Sequence, residues 1–199
     1  MTNASRSTSS RFASAVLAAG LSACGEAGSP QTDADYDDVA VAVSGLAADE
    51  GGDLEVMEDM ADLALGERKF DFTQTSSGTF ARARGRLTYT YDIECTNARG
   101  QVIDPCDART QRAEISVRIV GNFATARRTG SVARTGRWTL VRDGATVTID
   151  GRFRVDRSST FAALHRDETR SYVMTASGRA IGVELDLGSK QFVAGTLRY

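Results

Sequence analysis

The sequence predicts a mainly β fold: an antiparallel up-and-down meander of seven to nine strands, preceded by one or two short helices. Three observations carry this. From residue 69 onward apolar residues recur with a period of two, as in a strand with one buried and one wet face. Glycine-containing turn dipeptides recur between the alternating runs. Before residue 67 the spacing is helical, and nowhere do strands alternate with long helices as in a parallel α/β sheet. Alternation does not decide whether the meander closes into a barrel, stays open or folds into a sandwich.

The 199 residues include 24 Lys+Arg, 26 Asp+Glu, one His, three Cys, two Pro and 19 Gly. With 41% hydrophobic and 25% charged residues, the balance is that of a soluble globular domain. No apolar run approaches the roughly 18–20 residues of a transmembrane helix. A lone His165 argues against a polyhistidine metal site and against chemistry that needs two imidazoles.

Residues 1–23 read as a targeting segment. Arg6 and Arg11 give it positive charge, and residues 12–21 form an apolar run of signal-peptide length, too short for a permanent span. The run ends in Leu21-Ser22-Ala23-Cys24, which resembles the lipobox of bacterial lipoproteins. The resemblance implies cleavage before Cys24 and lipidation of its thiol, usually with acylation of the new amine. Two or three chains make a stable anchor where one is marginal. Gly25 follows, with no Asp at that place, which by the same resemblance implies the outer membrane, facing periplasm or exterior. The membrane, met through the anchor, is therefore the expected partner.

Residues 24–36 read as a flexible tether, small, polar and interrupted by Pro30. Residues 37–66 form an acidic helical lead. Residues 25–66 hold twelve acids and no base, whereas residues 67–199 hold 22 bases against 14 acids, so the segments carry −12 and +8. Residues 37–46 alternate Val with Ala and fit either helix or strand. Residues 53–65 place Leu54, Met57, Ala61 and Ala64 or Leu65 on one helical stripe, with Asp53 as a cap and Gly66 as a stop. Asp33, Asp35 and Asp37 imitate the start of an EF-hand. The loop then needs Gly and Glu where Asp38 and Ser44 stand, so no metal is expected. The expected arrangement is a solvated acidic arm, lying against the basic domain or extending away from the membrane.

Residues 67–199 form the β domain. Residues 81–95 read as one alternating strand, and residues 113–123 and 145–155 repeat the pattern. Asp143-Gly144 and Ser177-Gly178 are the expected hairpin turns. The first pairs Trp138 with Ile149 and Leu140 with Val147, and sets Gly136 opposite Gly151. A loop around Ser189 sets Val183 beside Leu197. Cys95 and Cys106 bracket a turn-rich loop, and in an exported chain they are expected to form a disulfide.

No nucleophile elbow, zinc-protease, P-loop or dinucleotide motif is present, so neither a catalytic residue nor a cofactor is expected. Arg82, Arg84 and Arg86 are read on one strand face. Arg127, Arg128, Arg134, Arg137, Arg152 and Arg154 could extend it into an anion-binding surface for lipid headgroups, lipopolysaccharide phosphate or acidic polysaccharide. The competing reading is an ordinary solvated face. Nucleic acid is not an expected partner, for basic and aromatic residues do not interleave. The whole pattern resembles bacterial lipoproteins with an acidic helical lead and a β meander. The expected function is a lipid-anchored, non-enzymatic structural or interaction module of the envelope. The alternative is a carrier holding a lipid or other apolar molecule in the concave face of its sheet.

Overall fold

The computed structural model describes residues 33–48, 51–67, 72–125, 128–163 and 167–199. Helices α1 (Asp33–Ala48) and α2 (Asp53–Ala64) come first. Strands β1 (Thr73–Ser76), β2 (Thr79–Arg84), β3 (Arg86–Thr96), β4 (Val102–Ile103) and β5 (Arg112–Ala124) follow. The long strands β6 (Arg128–Asp143), β7 (Thr146–Ala162) and β8 (Thr169–Asp186) lead to β9 (Gln191–Arg198). All described strands form one antiparallel sheet in the order β1-β2-β3-β5-β6-β7-β8-β9, with the short β4 beside the end of β3. The meander does not close, and β1 and β9 are its edges.

The period-two pattern becomes an inner and an outer face. Tyr89, Tyr91 and Ile93 of β3, Ile115, Val117 and Ile119 of β5, and Val147, Ile149, Phe153 and Val155 of β7 are all buried. Most of the residues between them are exposed. Val56, Met57, Met60, Ala61 and Leu63 of α2 join the same apolar cluster. Side chains of α2 are met from β2, β3, β6 and the residue after β9, so the sheet curls around this helix. The core is thus a helix held in an open, trough-like sheet.

Several local readings change. Residues 81–95 are two strands, because Gly85 takes a positive φ of 59° and turns the chain between β2 and β3. The turn resets parity: even residues Phe80 and Arg82 are buried in β2, odd residues in β3. The ambiguous stretch 37–46 is helical, and α1 begins at Asp33, four residues inside the expected tether. Asp53 does not cap α2; Gly52 occupies that position, and Asp53 is buried in the first turn. Leu54, expected on the buried stripe, is 37% exposed. Gly66 does end the helix. It has φ +72°, its amide donates to the Leu63 carbonyl, and the Glu67 amide donates to that of Asp62, the pairing of a Schellman motif.

The β6–β7 register lies two residues from the expected one. The turn residues are Gly144 and Ala145, with Gly144 at φ +58° in the position that a type II′ turn reserves for glycine. Leu140 therefore faces Ile149, and Trp138 faces Gly151. A two-residue shift keeps every side chain on its face, which is why the pattern alone did not resolve it. The Trp138 indole lies where a Gly151 Cβ would be, and stacks on Phe153 at 5.5 Å. Ser177-Gly178 is not a turn. Both residues lie inside the continuous β8, and Gly178 leaves room for the Phe153 ring. Around Ser189 the chain pairs Leu185 with Phe192 and Ala180 with Leu197. The Cys95–Cys106 disulfide is formed, with Cα atoms 5.6 Å apart. Closing a ring of this size is worth about 2–3 kcal/mol in the chain-entropy account.

Candidate functional site

Two charged surfaces stand out, one on each face of the sheet. The inner one is a set of ion pairs between α2 and the sheet. Apolar residues at 56, 57, 60, 61 and 63 fix the helix in the trough, and that leaves acids at 53, 55, 59 and 62 aimed at its walls. Arg134 of β6 places Nη2 2.9 Å from Asp53 Oδ1, both side chains being at most 1% exposed. The Tyr199 hydroxyl donates to Asp53 Oδ2 at 2.5 Å, and Arg134 Nη2 also donates to the Leu46 carbonyl of α1. Arg82 reaches both Glu55 and Asp59 at 2.6 Å while its guanidinium lies over the Tyr89 ring. Tyr89 and Tyr91 donate to Glu55 and Asp59 respectively. Lys190, in the β8–β9 turn, clasps Asp62 and Glu67 at 3.0 Å.

These carboxyls titrate differently although they share cations. Burial opposes charge on Glu55, but the Gly51 amide, Arg84, Arg82 and Tyr89 together outweigh it and hold the carboxyl below its ordinary range. Burial dominates at Asp59 and pushes it up to about 7, against the pull of Tyr91 and Arg82. Burial likewise raises Asp53, partly offset by Arg134. One guanidinium, Arg82, thus serves a firmly ionised Glu55 and an Asp59 that is neutral below neutrality.

This network relocates the residues singled out from sequence. Arg82 is buried in the trough, Arg84 pairs with Glu55 at the trough rim, and Arg86 is exposed on β3 beyond the Gly85 turn. The three do not share a strand face. Arg134 faces inward, and Arg128 donates to the Val41 carbonyl of α1. The acidic lead is accordingly not a solvated arm: Asp38, Asp53, Asp59 and Asp62 are buried. Cys24, Arg127 and His165 lie outside the described residues. Among the described residues no cluster of His, Cys, Asp or Glu could hold a metal, and no helix is long and apolar enough to cross a membrane.

The second surface is on the outer face. Register places Arg137 of β6 directly opposite Arg152 of β7, Arg152 opposite Arg179 of β8, and Arg179 opposite Arg198 of β9. All four are exposed. Adjacent strands lie about 4.8 Å apart, so the row crosses roughly 14 Å of sheet. It borders an open dish of about 860 Å³ whose lining includes Arg137, Arg152, Arg154 and Arg179. Sequence reasoning reached Arg137 and Arg152 but not Arg179 or Arg198, because it broke β8 at Ser177-Gly178. The signal was there: Tyr172, Met174, Ala176, Gly178 and Ala180 alternate without interruption, and extending that run puts Arg179 on the outer face.

The chain matches no protein-family model, no curated protein and no solved structure.

Proposed function

We propose that the chain is a lipid-anchored lipoprotein of the outer membrane that works as a non-enzymatic interaction module through the outside of its sheet. The observation that carries this reading is the occupied trough. Val56, Met57, Met60, Leu63 and Leu65 fill the inner face, and four acids of α2 bind cations on its walls and rim. Burying five such side chains is worth on the order of 10 kcal/mol, at about 1.5–3 kcal/mol each. That is comparable to the whole stability of a typical domain, roughly 5–15 kcal/mol. A carrier would have to expel the helix against that cost before accepting a ligand. The outer face and the sheet edges need no such rearrangement to meet a partner.

The anchor rests on Cys24 and the lipobox-like tetrad before it. In sequence, residues 24–32 stand between the acylated residue and the start of α1. Replacing Cys24 by Ser removes the acylated thiol. The variant is expected in the soluble fraction after cell lysis and without incorporated fatty acid, while the parent sediments with membranes and resists a high-salt wash. A Cys24→Ser protein that still sediments with salt-washed membranes would contradict the anchor.

A further inference from the structure

The arginine row asks for an explanation, because it is a costly way to build a sheet surface. Like charges directly opposite one another on neighbouring strands destabilise the pair, and opposite charges there stabilise it. Arg137, Arg152, Arg179 and Arg198 break that rule three times in succession. Among the described residues none of the four has an ion-pair or hydrogen-bond partner for its guanidinium. The acids nearest the row are already engaged: Asp150 accepts from the Gly182 amide, and Glu114 from Arg112 and Thr139. Arg154, two residues along β7 from Arg152, is held by Asp156. On the same face Asp92, Glu94 and Glu114 form a small acidic patch on β3 and β5, beside Arg137 at the end of the row.

We infer that the row is a binding site for an acidic polysaccharide, one that carries carboxylates or phosphates on successive sugar units. Guanidinium groups at strand spacing form a straight file of forks, each able to take a carboxylate or phosphate oxygen pair. A linear chain laid across the strands, along the dish, meets one arginine per strand. At the Arg137 end the carboxylates of Asp92, Glu94 and Glu114 repel the same polymer. A flat bilayer fits less well, because the four charges form a line rather than a broad patch. The proposal deepens the interaction-module reading and rests on it for where the polymer is met. Binding itself needs no anchor, so this test and the Cys24→Ser fractionation can fail separately.

The test uses the purified full chain in non-ionic detergent, with polygalacturonate as the probe and dextran as its neutral counterpart. The parent protein is expected to bind polygalacturonate and not dextran. Affinity should fall about tenfold or more between roughly 50 and 300 mM salt, as for polyanions generally. The double variant Arg152→Gln/Arg179→Gln should bind at least about tenfold more weakly, with two of four charge-assisted contacts gone. It should also melt about 1–3 °C higher, because all three like-charge oppositions are relieved. Arg99→Gln/Arg109→Gln removes the same net charge from an exposed loop away from the row and should bind like the parent. Equal weakening in both double variants, or a parent that does not bind, would overturn the site. So would binding confined to phosphatidylglycerol vesicles. Salt-sensitive self-association that Arg152→Gln/Arg179→Gln abolishes would overturn it too, giving the row to the acidic patch of a second copy.

Discussion

Replacing Arg134 by Met should destabilise the protein by about 3–5 kcal/mol at neutral pH, the usual cost of removing one partner of a buried ion pair. Asp53 has no exposure and keeps only the Tyr199 hydroxyl once the guanidinium is gone. Met is of similar length, so the loss reports the stranded carboxylate rather than a cavity. Arg134 also reaches the Leu46 carbonyl, so docking of α1 weakens with it. Urea unfolding monitored by Trp138 fluorescence measures this, with a lower midpoint at an unchanged m-value as the expected result. The double variant Asp53→Ala/Arg134→Met should recover at least half of the loss, for it leaves no buried charge uncompensated. A single variant within about 1 kcal/mol of the parent would show that α2 does not depend on this pair.

The second large effect is a pH dependence. Asp59 is raised to about 7 in the folded protein by burial. The unfolded chain gives up that proton near pH 3.9, so between about 4 and 7 the folded state holds a proton that the unfolded state lacks. Stability therefore falls as pH rises through this window, by up to about 1.4 kcal/mol per unit, and levels off above it. Asp53, also raised, adds in the same direction. Glu55 is lowered, so its contribution is present above about pH 4.5 and is lost only as pH falls through its folded value, outside that window. Asp59→Asn keeps the shape and an oxygen for the Tyr91 hydroxyl but cannot ionise. Arg82 retains Glu55. At pH 5 the variant should lie within about 1 kcal/mol of the parent, and at pH 8 it should be the more stable of the two by roughly 2–4 kcal/mol. Equal destabilisation at both values would mean that Asp59 is ionised in the folded protein throughout.

Much of the architecture is legible in the residues, because strand alternation and its faces follow from side-chain period alone. β5 and the first half of β7 could be written down from residues 113–123 and 145–155. The end of α2 at Gly66 and the Cys95–Cys106 bridge were equally readable. Registers were harder, since a shift of two residues changes every partner but no face, as at Gly144-Ala145. Glycine misled twice. Gly178 sits inside a strand to admit the Phe153 ring, whereas Gly85 makes a turn inside what reads as one alternating run. The inner charges were the least legible part. Asp53, Asp59, Arg82 and Arg134 look like surface residues until two distant segments, each an unfavourable burial alone, are brought together to neutralise one another. The row at Arg137, Arg152, Arg179 and Arg198 is hidden for a related reason. It exists only across four strands, and no stretch of sequence contains it.

Everything proposed for the outer face presupposes that the trough is held by α2. Native-state hydrogen exchange, followed residue by residue, measures that occupancy directly. Amides of residues 57–64 should exchange as slowly as those of β5 and β7, because the helix and the sheet share one core and open together. Exchange in the helix that is orders of magnitude faster than in those strands, under the same conditions, would show a trough that empties while the sheet stays folded.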